Sequence, residues 1–139
     1  SSNSWNGGVL APNGLIYGTP NGADEILIIN PETDATSLIA SSVVGGVKWT
    51  GATLAPDGKI YAMPRDIDDV LVLDPTTNTA TTIPSTVVGG GSKWFGAVHA
   101  KNGKIYGIPQ NNDTILVIDP KASGAFCDSI LLSGYMNKL

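Results

Sequence analysis

The sequence predicts an all-β chain built from three copies of one four-stranded antiparallel unit. Two observations predict it. Landmark residues recur with a fixed period, since Trp5, Trp49 and Trp94 lie 44 and 45 residues apart. Within each period the apolar residues come in four short, β-branched bursts separated by turn formers, which is strand patterning. No segment carries a sustained helical period.

Each landmark holds its register in all three copies. Gly7, Gly51 and Gly96 follow the Trp by two positions, and then come Gly14, Gly58 and Gly103, Tyr17, Tyr61 and Tyr106, and Pro20, Pro64 and Pro109. Asn30-Pro31, Asp74-Pro75 and Asp119-Pro120 complete the unit. In the second copy the bursts read "GATLA", "KIYAM", "VLVLD" and "ATTIP". Pro56-Asp57-Gly58 is a tight turn joining the first two bursts into a hairpin, as are Asn13-Gly14 and Asn102-Gly103 in the other copies. Asp74-Pro75-Thr76-Thr77 turns the third burst into the fourth, and the flexible "VVGG" segments carry the chain to the next copy.

Four antiparallel strands every 44 to 45 residues is the pattern of a β-propeller blade. "VLVLDPTTNTATTIP" resembles the YVTN type of propeller repeat, and "APDGKIY" is similar to NHL-like blades. The Trp-x-Gly at each blade start departs from the YVTN pattern. The resemblance implies blade structure over nearly the whole chain and no particular activity. Blade 1 is expected over about 4–47, blade 2 over about 48–92 and blade 3 over about 93–139, as a single half-propeller. Three blades leave two open apolar flanks, so the expected assembly is half of a six-bladed ring closed by homodimerisation about a two-fold axis. The competing reading is a piece of a longer propeller. The divergent end "DSILLSGYMNKL", with Tyr135, Met136 and Leu139, is expected to be a terminus whose apolar tail docks on the next subunit.

Composition agrees with the fold and narrows the function. Of the 139 residues 42% are hydrophobic, enough for a core, while only 14% are charged. The net charge is −4 with eight dispersed Lys and Arg residues, which does not make the concentrated basic footprint that nucleic acid requires. No apolar run reaches the length of a membrane span. Cys127 is alone, so no intrachain disulfide forms. Asn112-Asp113-Thr114 is a glycosylation triplet, meaningful only in a secreted chain.

In a propeller the linkers and the loops between the second and third strands share one face, where ligands commonly meet the ring. Here that face carries Lys48-Trp49, Lys93-Trp94 and the loops "NGADE", "RDIDD" and "QNNDT". Asp24, Asp68 and Asp113 are equivalent, and a residue needed identically in every blade reads as structural. Arg65, Asp66, Gln110, Asn111 and Asn112 vary between copies and are the better ligand-binding candidates. Trp49 and Trp94 read two ways, as stacking platforms for a glycan or as wedges between blades. His99, the only histidine, replaces Leu10 and Leu54 of the other copies and is the single catalytic candidate. No metal or cofactor site is expected: a metal centre usually needs three or four ligands, and the Asp66, Asp68, Asp69 cluster lacks the frame of a calcium loop. The leading expectation is a non-enzymatic dimeric propeller binding a glycan or protein ligand on one face. A propeller hydrolase or lyase using His99 is the alternative.

Overall fold

The computed structural model describes residues 4–121 and the backbone of residues 126–131. The first sheet holds β1 (Trp5–Leu10), β2 (Ile16–Pro20), β3 (Glu25–Asn30) and β4 (Ala35–Ala40). The second holds β5 (Trp49–Leu54), β6 (Ile60–Pro64), β7 (Asp69–Asp74) and β8 (Thr79–Pro84). The third holds β9 (Trp94–His99), β10 (Ile105–Pro109), β11 (Thr114–Asp119) and β12 (Phe126–Leu131). Every sheet is an antiparallel meander in chain order. The expected tail contacts of Tyr135, Met136 and Leu139 lie outside the described residues.

The turns form for local reasons. Asn13, Asp57 and Asn102 each accept a backbone N–H two residues on, from Leu15, Lys59 and Lys104, which closes the hairpin between the first and second strands. The same side chains reach the Tyr of the second strand. Asn13 and Asn102 donate to the Tyr17 and Tyr106 hydroxyls, and the Tyr61 hydroxyl donates to Asp57. At the β7–β8 turn Asp74 accepts the Thr76 N–H, and Asn78 takes the left-handed conformation at φ 52°.

The Trp-x-Gly departure has a structural cause. The pairing of first and second strands slips between Trp5 and Gly8, between Thr50 and Ala52, and between Gly107 and Pro109. The unpaired position holds Gly7, Gly51 or Gly96, all at positive φ. This is a β-bulge that only glycine fits comfortably. It redirects the start of the strand, placing each Trp across its own sheet. The indole N–H groups of Trp5, Trp49 and Trp94 donate to the carbonyls of Glu25, Asp69 and Thr114, at the start of the third strand.

Two apolar cores hold the sheets face to face. Between the first and second sheets pack Tyr17, Ile26 and Ile28 against Trp49, Ile60 and Leu71. Between the second and third pack Tyr61, Met63 and Val70 against Trp94, Ile105 and Leu116. Alternation explains how one sheet serves both: Ile60 and Ala62 face back, whereas Tyr61 and Met63 face forward. The first strands β1, β5 and β9 neighbour one another along the inner edge. Their approach is close, since a Cβ on Gly51 would stand 2.5 Å from the Gly96 Cα.

Among the described residues nothing covers the outer flanks. Leu10 and Leu38 are exposed on the first sheet, the equivalent of Leu10 being Leu54, which packs on the core. Phe95, Val98 and Ile108 are exposed on the third, where the equivalent of Ile108 is the fully buried Met63.

Candidate functional site

The face formed by the linkers and the loops between second and third strands is organised by backbone hydrogen bonds. Asn21 N–H donates to the Ser4 carbonyl, and Lys48 N–H donates to the Asn21 carbonyl. Arg65 N–H donates to Lys48, Lys93 N–H to Arg65, and Gln110 N–H to Lys93, at 2.8–3.0 Å. The six residues form one unbroken rim across all three sheets. At Asn21, Arg65 and Gln110 it is the backbone that carries the rim. The Asn21 amide does further structural work, donating to the Trp49 carbonyl of the next blade at 2.7 Å, whereas the rim bonds of Arg65 and Gln110 use the backbone alone, so there the side chain can vary.

Beneath the rim, each linker is tied to the preceding blade by an aspartate. Asp24 accepts the Gly45 N–H at 2.6 Å and the Lys48 ammonium at 3.0 Å. Asp68 repeats this with Gly89 at 2.7 Å and Lys93 at 3.0 Å. First the glycine N–H bond and then the lysine hold both carboxyls below the usual carboxylate range. The lysine side chains are buried while the aspartates remain partly open to solvent. The structural reading of Asp24 and Asp68 therefore stands on these contacts.

The predicted site residues separate into three groups. Arg65 and Gln110 lie on the rim with exposed or half-exposed side chains, the Arg65 guanidinium 3.7 Å from the Asp66 carboxylate. Asp66, Asn111 and Asn112 share the same end but are engaged. Asp66 accepts the Ser92 N–H at 2.7 Å, the Asn111 amide donates to the Gly91 carbonyl at 3.4 Å, and the Asn112 amide donates to the Lys93 carbonyl at 2.9 Å. They clamp the linker between the second and third sheets, a function invisible in the sequence because only the fold brings them to it. Asn112 also accepts from the Thr114 N–H, so both ends of its amide are committed.

Trp49 and Trp94 need a correction. Both are 0% exposed, Trp49 in the core between the first two sheets and Trp94 between the second and third. Neither offers a face for a sugar ring, because the preceding blade covers it.

His99 is exposed, yet it does not join the rim. It ends β9 opposite Ile105, while Trp94 begins the strand opposite Pro109, next to the rim. Five residue steps at about 3.3 Å each put the two ends roughly 17 Å apart. The structure thus does not bring His99 together with Arg65, Asp66, Gln110 or Asn111. What sequence reading missed is the rim itself. Its only sequence signal was variation at one shared position, which shows freedom of the side chain and not the backbone bond that permits it.

The sequence matches no protein-family model and no curated protein. Similar solved structures exist. A virginiamycin B lyase from Staphylococcus aureus aligns with a TM-score of 0.77 over 92% of this chain and 41% of that one, at 10% identity. A streptogramin B lyase gives 0.71 over 90% and 40%, at 13% identity. Hydrazine synthase from Kuenenia stuttgartiensis gives 0.65 over 89% and 34%, at 18% identity. The chain thus spans about two fifths of the two lyase chains and a third of the other. At such identities the likeness is one of fold, and the fold is that of three consecutive blades of a β-propeller.

Proposed function

We propose that the chain is a non-enzymatic propeller module that binds a glycan or protein ligand on its rim face. The observation that carries this is the rim, where hydrogen bonds fix the backbone of Asn21, Arg65 and Gln110 while the side chains differ from blade to blade. A rigid frame with variable polar groups suits recognition, because little ordering entropy is lost on binding. The lyase activity of two similar folds is not carried over, since identity of 10% and 13% brings no site residues with it. Recognition falls to the Arg65 guanidinium and the Gln110 amide, with no stacking on the buried indoles.

The bare flanks complete the reading. Three blades fill half of a six-bladed ring at about 60° each, and a second copy supplies the other half. The lyase chains align over 41% and 40% of their length, short of a half, so the blade number rests on the mass in solution.

The test begins with a glycan array and a panel of purified surface peptides. For any ligand that binds, Arg65→Ala/Gln110→Ala should weaken affinity tenfold or more, a change of about 1.4 kcal/mol, with thermal unfolding unchanged. Full affinity in that double variant would overturn the rim as the site.

A further inference from the structure

We infer that two copies join by repeating the in-chain blade junction residue for residue, with blade 3 of one packed on blade 1 of the next. This rests on the dimer reading above and names its contacts. The bare flank of blade 3 is the forward face that blade 2 presents to blade 3. The bare flank of blade 1 is the backward face that blade 3 presents to blade 2. Each therefore already has its mate within the chain.

Side-chain volume supports this pairing. At the second junction Met63 packs over Gly107, and a Cβ built on that glycine would lie 2.8 Å from the sulfur. At the first junction the equivalent positions hold Thr19 over Ala62, a smaller knob on a shallower hole. At the bare flanks they hold Ile108, exposed, and Gly18. A large knob again meets a glycine. Beside Gly18 stand Leu27 and the Trp5 indole, and the Trp5 flank opens a hollow of about 480 Å³ edged by Ala23, Leu38 and Val44. A hollow between blades 1 and 2, lined by Tyr17, Ile26, Ile60 and Leu71, has only about 10 Å³.

Polar groups follow the same register. At the first junction the Tyr17 hydroxyl donates at 2.7 Å to Asn78, which sits at φ 52° in the turn of the next blade. The corresponding residues at the flanks are Tyr106 and Asp34, and Asp34 sits in the same turn at φ 58°. A carboxylate accepts from a phenol at least as well as an amide oxygen does. The rim also continues across the gap. It ends at Gln110 among the described residues, and the position that takes up the rim in each following blade, Lys48 or Lys93, is Ser4 in blade 1. The second copy is the occupant that satisfies all four correspondences at once.

Disulfide trapping tests the register. In a Cys127→Ser background, Gly18→Cys/Ile108→Cys places sulfurs where the Met63 side chain meets Gly107. A Cβ on Gly107 would lie 3.5 Å from the Met63 Cγ, the place a cysteine sulfur at position 63 would take, so the two side chains are in contact there. Met63→Cys/Gly107→Cys is the internal control and should close within one chain. The flank double variant should give a covalent dimer on a non-reducing gel, and neither single variant should. Trapping by Ile108→Cys alone would overturn the inference, because it needs like flanks to meet. A dimer by light scattering that fails to trap, while the control closes, overturns this register and leaves the dimer reading intact. A monomer at all concentrations ends both, and a ladder of longer species overturns two-fold closure.

Discussion

Replacing Trp94 by alanine separates a wedge from a ligand platform. The indole is 0% exposed and donates to the Thr114 carbonyl at 3.0 Å. A buried Trp removes about 150–250 Å² from water. At about 25 cal/mol per Å² this corresponds to roughly 4–6 kcal/mol of transfer free energy. Core Trp→Ala changes typically cost about 3–5 kcal/mol, because the site collapses only in part. The orphaned carbonyl adds about 1 kcal/mol. Against a native stability of about 5–15 kcal/mol, that is a large share of the whole. Trp94→Phe keeps most of the ring contact and loses the donor, so it should cost about 1–2 kcal/mol. Urea unfolding followed by far-UV circular dichroism measures both, avoiding a fluorescence probe that the substitution itself removes. If Trp94→Ala lost under about 1 kcal/mol while ligand affinity fell, the wedge argument would be wrong and the indole would belong to the binding face.

Four further expectations follow, three from in-chain contacts and one from His99. Gly51→Ala should destabilise by about 1–3 kcal/mol in the same unfolding assay, since the new methyl meets the Gly96 backbone at a positive φ; a neutral result would mean that the inner strands are not in contact. Asp68→Asn should cost more than Lys93→Met, because the first strands a buried ammonium whereas the second leaves a carboxylate that water can reach. The Asp24 and Asp68 carboxyls are held below their ordinary value of 3.8, so the stability they add is complete above that pH and is lost as pH falls through their folded values. Asp24→Asn/Asp68→Asn should flatten that acid limb of a Tm-against-pH profile, and an unchanged limb would contradict the assignment. His99→Leu, which restores the residue of the other copies, should leave stability within about 0.5 kcal/mol and ligand affinity unchanged; loss of a turnover activity instead would favour the enzyme alternative.

Repetition made the fold legible and hid the site. Strand positions follow from bursts and turn residues that recur three times, and the hairpin turns at Asn13, Asp57 and Asn102 form as their residue types require. The Trp-x-Gly pair was visible but ambiguous, because sequence does not say which blade covers an indole. Burial decides it. Among the variable residues, Arg65 and Gln110 remain available, whereas Asp66 and Asn111 proved to be linker clamps. Nothing in their neighbours along the chain distinguishes the two pairs, since each clamp's partner lies about 20 or more residues away. His99 was the catalytic candidate as the only histidine, and strand direction places it at the far end of β9 from the rim.

The junctions within the chain hold an ion pair that the junction inferred between copies lacks, and the difference is testable. Within the chain a lysine at the start of each following blade is buried against an aspartate of the blade before it, Lys48 on Asp24 and Lys93 on Asp68. The corresponding residue in blade 1 is Ser4, so the partner's Asp113 would meet a hydroxyl and no ammonium. The contact between copies then depends on apolar packing and the Tyr106–Asp34 bond, and added salt should not weaken it. Ser4→Lys supplies the missing charge. A partly exposed ion pair contributes about 0.5–1 kcal/mol and the two-fold ring holds two such junctions, so the dimer dissociation constant should fall roughly five- to thirtyfold at low salt. Sedimentation at two ionic strengths reads this directly, the gain shrinking at high salt. It should also vanish when Asp113→Asn is added. A gain that survives Asp113→Asn would show that the lysine acts elsewhere, and that blade 3 of one copy does not precede blade 1 of the next.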